Sequence, residues 1–393
     1  GYGEIGNSAI NNFETLSTFS IGGNMVLGDA FLTGAVPSRI PNTDLVWETT
    51  TEVHVGLDFT LLDERLSGGM EYYVRNTGDQ LFQRPVPRSQ GFGSFRQNFG
   101  NVRNSGFELT LSSQNIVKDD FTWETDITFA TLKNEVTEVP DFVGGQVTGG
   151  GGFAFGGDFW VVKEGEAMAS FYGYQVDGVY STQAEVDAAA AQFPDGTARE
   201  GLGHPIYADQ NGDNRIDEND RVIIGKPFPD FNFGINNRLT YKNFTLDVYV
   251  TGVQGIDAFN NLIAESFYPI DPDRNKLSKY YLNRWTVDNP NSPYPSMVEP
   301  GRYQDGRKAN KWTVQDASFV RLKNVTLGYD TAFKSLGIES ANFYISLENF
   351  VTWTDFDGFD VDANSSSGNG VQKGTYGDYP LAKTVRIGAR FNL

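Results

Sequence analysis

No cysteine occurs among the 393 residues, which removes disulfide frameworks, thiolate zinc sites and thiol nucleophiles together. Histidine is nearly as scarce, with His54 and His204 the two in the chain. A serine-histidine-aspartate site would have to use one of them, yet neither a G-x-S-x-G nor an H-E-x-x-H pattern accompanies either. Both read as histidines satisfied by polar neighbours. Basic residues are in deficit, 31 against 50 acidic, and the formal net charge of −19 excludes the basic surface that a nucleic-acid partner needs. No apolar run reaches the ~18 residues of a spanning helix, a test that is blind to transmembrane barrels, whose strands alternate. The chain begins Gly1-Tyr2-Gly3 without a charged or apolar leader, so a targeting segment is expected to lie outside it. Paired carboxylates for glycoside hydrolysis stay open as an enzyme alternative, because their separation is spatial and not readable from sequence.

What the chain has in quantity is strand pattern. Val53, Val55, Leu57 and Phe59 alternate with Glu52, His54, Gly56 and Asp58, the period of a half-buried strand. The same reading applies to Leu66/Met70/Tyr72/Val74, Phe107/Leu109/Leu111, Phe121/Trp123/Ile127/Phe129, Phe231/Phe233/Ile235/Leu239, Phe244/Leu246/Val248/Val250, Phe343/Ile345/Leu347 and Val385/Ile387/Ala389/Phe391. Residues 317–330 slip phase between Val320/Leu322 and Val325/Leu327/Tyr329, which predicts a bulge near Asn324. Nine whole strands result, preceded by the tail of a tenth at residues 1–6.

Alternation alone suits a sandwich as well as a barrel. Loop length separates them. Tight connections at 63–65, 118–120, 242–243 and around Ser335–Ser340 alternate with long ones at 84–103, 139–230, 256–316 and 355–381. Short turns on one side and long loops on the other are the habit of an outer-membrane up-and-down barrel. Trp47, Trp123, Tyr241, Tyr329 and Trp353 near strand ends fit its aromatic girdles. Parity assigns Ser170–Ser181 to an excursion off the wall. Thr182–Gln192 reads as a short helix capped by Ser181 or Thr182. Gly149–Gly152 with Gly156-Gly157 lacks the Lys-Ser/Thr of a phosphate cradle and reads as flexible loop.

Within the longest loop, Asp209, Asn211, Asp213, Asp217 and Asp220 occupy positions 1, 3, 5, 9 and 12 of an EF-hand-like spacing, with the Arg215 carbonyl at position 7. Hard oxygen ligands in that order suit a structural Ca²⁺. Asn214 replaces the usual glycine and Asp220 the usual glutamate, and a metal-free loop of Asx turns is the other reading of the same residues.

Specific segments carry a family resemblance. Asp44-Leu45-Val46-Trp47-Glu48-Thr49-Thr50-Thr51 followed by Gly56-Leu57-Asp58-Phe59, then Gly100-Asn101-Val102-Arg103-Asn104-Ser105-Gly106-Phe107, Ser170-Phe171-Tyr172-Gly173-Tyr174 and Ala317-Ser318-Phe319-Val320-Arg321-Leu322-Lys323-Asn324, resemble SusC-like TonB-dependent transporters in family order. The resemblance runs the whole chain. It implies an all-β transmembrane barrel of about 22 strands with a plugged lumen, of which this chain supplies the last nine or ten, the plug and earlier strands lying elsewhere. It also implies an outer-membrane location with loops extracellular and C-terminus periplasmic, import of an oligosaccharide or peptide, a SusD-like lipoprotein lid and energy from TonB-ExbB-ExbD. Trp160, Trp285, Tyr303 and Trp312 are the candidate substrate contacts, with loop packing as their other reading. The rival class is a soluble or surface-exposed calcium-dependent sandwich, either a glycan-binding protein or a glycosidase.

Overall fold

The computed structural model describes residues 1–7, 10, 13–86, 89, 91–98, 100–140, 143–150, 158–194, 201–267, 275–297, 309–333, 338–362, 374–375 and 379–392. Ten strands follow one another across a single antiparallel wall: β1 (Tyr2–Asn7), β2 (Glu48–Leu61), β3 (Leu66–Gly78), β4 (Asn101–Lys118), β5 (Phe121–Thr131), β6 (Phe231–Tyr241), β7 (Phe244–Gln254), β8 (Phe319–Phe333), β9 (Ile338–Trp353) and β10 (Thr384–Asn392). They include all nine strands expected from alternation, and β1 is the expected tenth. A short strand at Lys133–Glu138 pairs back onto the start of β4.

Register explains why the wall has two unlike faces. Leu57, Met70, Leu109, Phe129 and Phe233 lie in one row across β2 to β6, each directly opposite the next. Leu239, Leu246, Leu327, Ile345 and Ile387 form a second row across β6 to β10. Both rows are open to the outside: Leu57 is 58% exposed and Ile387 79%, and the members between them are exposed or half-buried. A sandwich would bury such rows under a second sheet, whereas a barrel turns them toward lipid.

Aromatics crowd the short-turn end of the belt, where the Phe244 ring lies 4.8 Å from Tyr329 and Phe343 5.8 Å from Phe391. Of the residues expected in girdles, Trp47, Trp123, Tyr241, Tyr329 and Trp353 are all exposed. Polar Asn237 and Thr125 stand opposite one another on this face, and Asn237 accepts hydrogen bonds from Trp123 Nε1 at 2.9 Å and Thr125 Oγ1 at 2.8 Å. The Asn237 amide oxygen is thereby not left unpaired on the face turned to hydrocarbon.

The bulge expected near Asn324 falls on Lys323, because Tyr249 pairs with Asn324 while its neighbour Val250 pairs with Leu322. Turns at the short end are tight: Lys242-Asn243 joins β6 to β7, with Lys242 at φ 52 and Asn243 Nδ2 bonded to the Asp330 carbonyl at 2.7 Å. The β8–β9 connection at 334–337 lies outside the described residues.

At the other end the long loops fold into a layer of their own. A four-stranded sheet joins Gln146–Gly150, Asp158–Lys163, Ser170–Tyr174 and Arg221–Gly225, and Val176–Val179 pairs with Pro205–Tyr207. The segment Ser170–Ser181 is therefore off the wall, as parity required, and its first half is a strand of that four-stranded sheet. The glycines at 149–150 belong to a paired strand, a difference from the flexible loop expected there: a Cβ on Gly149 would come within 2.1 Å of the Trp160 ring, so glycine makes room for the indole. Gly151, Gly152, Gly156 and Gly157 lie outside the described residues. Helix α1 (Gln183–Gln192) starts at Thr182 with a full capping box, Thr182 Oγ1 accepting from the Glu185 amide and Glu185 accepting from the Thr182 amide. Two short helices, α2 (Asn261–Phe267) and α3 (Ser278–Leu282), complete the layer.

Candidate functional site

Residues one step out of phase with the apolar belt line the other face of the wall, and the strand register fixes which of them meet. Over β6 to β10 this face encloses a concavity of about 620 Å³ lined wholly by polar or small residues apart from Tyr344. Arg238 Nε donates to Asp247 at 2.7 Å, Arg386 lies 3.0 Å from Glu348, and Thr326 Oγ1 lies 2.8 Å from Ser346 Oγ. Such a surface is wetted or covered by polar partners, the character of a barrel interior. His54 belongs to this face, its Nδ1 3.5 Å from Glu52 and 3.9 Å from Glu71, which matches the polar role expected of it.

Where the wall meets the loop layer, Arg321 of β8 is 2% exposed and fully engaged. It donates from Nη2 to Asp360 at 2.7 Å, from Nη1 to Asp362 at 3.1 Å and from Nε to Thr352 at 2.9 Å. Burial alone would push the Asp360 carboxyl up, but the amides of Asp362 and Leu381 and the Arg321 guanidinium outweigh it and hold the group below the ordinary carboxylate value. Nearby, Asp357 accepts from Tyr280 and Lys279 of α3, while its own amide donates to Gln315 at 3.3 Å. Burial, then the hydrogen bond to Asp357, raises the Tyr280 phenol far above its usual range. The loop after β9 is thus fastened both to the wall and to the loop after β7. Sequence reading had placed Arg321 in a family-like run but not in an ion pair; its partners stand 39 and 41 residues away across a loop, beyond the reach of spacing arguments.

The candidate aromatics divide. Trp285 and Trp312, each 8% exposed, pack in one loop core with Tyr174, Tyr207 and Ile216. Trp160 is partly buried against Phe159, Phe171 and Phe259. Tyr303 lies outside the described residues. His204 is likewise buried in the loop layer, at 7% exposure.

A second cavity, about 450 Å³, opens between the top of the wall and the loop sheet and includes Asn134, Glu166, Ser170, Lys226, Asp230 and Asp257 in its lining. Burial, with the Asp316 carboxylate close by, pushes Asp257 up from its usual value, against the pull of the Lys226 amide that it accepts at 2.9 Å.

Residues 209–220 close on themselves. Asp209 accepts the amides of Gly212 at 2.7 Å and Asn214 at 2.9 Å, Asn211 that of Asp213 at 2.9 Å, and Asp213 that of Arg215 at 2.9 Å. Asp217 accepts the Asn219 amide at 2.8 Å, and the fully buried Asp220 accepts those of Gln210 at 2.8 Å and Asp217 at 2.7 Å. The spacing that suits an EF-hand also suits these Asx turns. Among the described residues no three His, Cys, Asp or Glu side chains converge as a ligand set.

Comparison with known proteins agrees with this architecture. Residues 6–262 match the family model described as "TonB dependent receptor-like, beta-barrel". TonB-dependent receptor P3 of Formosa agariphila is 34% identical over 98% of this chain, and TonB-dependent receptor SusC of Bacteroides thetaiotaomicron 27% identical over 92%. The chain spans 38% of the first and 33% of the second, well under half of either relative. Among solved structures, the RagAB peptide importer in its open-open state superposes with a TM-score of 0.76 at 23% identity, covering 100% of this chain and 39% of that one, a likeness of fold. These relatives are receptors and transporters rather than enzymes, and proteins of this kind are outer-membrane β-barrels. A ten-strand meander with an outward apolar belt, a polar inner face and a family match over most of its length places this chain in the TonB-dependent receptor β-barrel family.

Proposed function

We propose that the chain forms wall and external loops of an importer that brings a bulky nutrient, an oligosaccharide or peptide, across the outer membrane. The observation that carries this reading is the apolar belt, which runs in register from β2 to β10 and is far larger than the patches soluble monomers ordinarily expose. The long-loop end then faces outward and the short turns face the periplasm. The folded loop layer gives a SusD-like lipoprotein lid a surface to rest on, within the loops at 139–230 and 256–316. Energy from TonB-ExbB-ExbD enters through parts of the protein outside this chain. A neighbour titled a peptide importer favours peptide among the cargo classes. A structural Ca²⁺ in residues 209–220 is proposed on spacing, the amide-bonded loop being its competitor.

Detergent extraction of the native protein tests the whole reading. The expected result is a detergent-dependent particle whose polypeptide mass far exceeds 43.5 kDa, with a lipoprotein in the same peak. A detergent-independent monomer of 43.5 kDa would sink it.

A further inference from the structure

Beyond the wall, β7 is followed by the short strand Asp257–Asn260 and β8 is preceded by the short strand Val314–Asp316, and their register sets Asp257 directly opposite Asp316. Two carboxylates level with one another across a strand pair repel when both are charged. Asp257 is also where the loop sheet is fastened to these strands. Its amide donates to the Lys226 carbonyl at 2.9 Å, and its Oδ2 accepts the Lys226 amide at 2.9 Å. The side chain lies against Gly225, the last residue of the loop-sheet strand Arg221–Gly225, where a Cβ would come within 2.8 Å of Oδ2.

Among the described residues neither carboxylate of this pair has an ion-pair partner. Around the cavity of about 450 Å³ beside it, Lys226 gives its ammonium to Asp230, Lys133 gives its own to Glu135 at 2.6 Å, and Glu166 adds a further acid to the lining. Asp316 is exposed, with Oδ1 accepting the Ser318 amide at 2.8 Å. Asp257 is half-buried, so its charge is the harder of the two to hold. Protonation there removes the repulsion and still leaves Oδ2 able to accept the Lys226 amide.

We propose that this pair is an acid-tightened joint: the loop sheet grips the strands that extend β7 and β8 while Asp257 carries a proton, and loosens beside the neighbouring cavity once both carboxylates are charged. The sign follows from the surroundings. Burial, then the Asp316 and Asp230 charges, hold Asp257 above the ordinary carboxylate value against the opposing Lys226. A group raised in the folded state contributes stability that is present in acid and lost as pH climbs through the raised value. The joint goes beyond the import reading and holds whatever the cargo is.

Hydrogen exchange on the whole protein in detergent tests it, read as protection factors, which divide out the intrinsic pH dependence of exchange. The range runs from about pH 4.5 to about pH 7.5, to bracket a raised carboxylate. Protection at 221–226 and 256–260 should be severalfold higher at the acid end, with a midpoint above the ordinary carboxylate value, while the β6–β7 turn at 241–244 stays constant. Asp257→Asn should keep the high protection across the whole range. Asp316→Asn, which removes the facing charge, should move the midpoint to lower pH, and it decides alone where Asp257→Asn fails to fold. Protection that does not vary with pH in wild type, a variation that survives Asp257→Asn, or a midpoint unmoved by Asp316→Asn overturns the proposal. A change of the same size at the β6–β7 turn, which would mark a response of the whole molecule, overturns it as well.

Discussion

Ile235 and Asn236 are neighbours whose side chains point to opposite faces of β6, and placing arginine at each in turn tests the sidedness of the wall. Ile235 lies opposite Ile127 on one side and Val250 on the other, in the apolar belt. It stands six residues from Tyr241 at the short-turn end, which at ~3.4 Å per residue is about 20 Å along the strand and, with a tilt of ~40°, about 15 Å along the membrane normal. That is the middle of a belt ~25 Å tall, where arginine costs about 2–4 kcal/mol, roughly 30- to 1,000-fold in the ratio of folded to unfolded protein. Asn236 lies opposite Asp126 and Tyr249 on the polar face, so a guanidinium there meets a carboxylate and should change stability by no more than about 0.5 kcal/mol. Urea unfolding of the whole protein in lipid vesicles, followed by tryptophan fluorescence, measures both. An equal loss for the two variants, or a larger one for Asn236→Arg, would refute the assignment of the apolar belt to lipid.

Removing one partner of the Arg321–Asp360 pair strands a buried charge, so Arg321→Gln or Asp360→Asn should cost about 3–5 kcal/mol locally and raise hydrogen exchange at residues 354–362 without unpairing β9; unchanged exchange there would contradict the fastening role. Because the Asp360 pKa is held below its unfolded value, near 3.9, its contribution is present above that value and lost as pH falls through the lower folded one. Peptic cleavage in 354–362 should therefore begin only in strong acid, below about pH 4, and cleavage already at pH 5 would contradict the shift. Trp285→Ala should lower loop-layer stability by about 3–5 kcal/mol, read as proteolytic sensitivity, with cargo affinity per folded molecule unchanged; intact loops with lost affinity would return Trp285 to the binding site. If Ca²⁺ seats at 209–220, a chelator lowers the melting temperature and Asp213→Asn abolishes that response, whereas the same melting curve with and without calcium assigns the loop to its own amides.

Much of the wall was legible because its signal is local. A strand writes its two faces into residues i and i+2, so Val53 to Phe59 and Phe231 to Leu239 declared themselves, and the phase slip at 320–325 gave away the bulge within a residue. Loop parity then separated barrel from sandwich. What stayed hidden depends on which residues of different strands stand level. Glu71 and Glu108 are unremarkable carboxylates until register sets them face to face. The Asp360 partner of Arg321 is brought home by a loop, and no periodicity records it. Trp285 and Trp312 were open to two readings because an indole that packs and an indole that stacks on cargo look alike in sequence; their burial in one core is the observation that favours packing.

The extra residue at Lys323 has a consequence for how this barrel can change length. On its turn side, Val325 and Leu327 face the belt; on its loop side, Val320 and Leu322 do, so odd positions trade places with even ones at a single point. Delete Lys323 and Arg321 swings into hydrocarbon while its two aspartates are abandoned. Loops here may gain or lose any number of residues, but this stretch of wall counts modulo two, and the inserted lysine is the digit that keeps the count even.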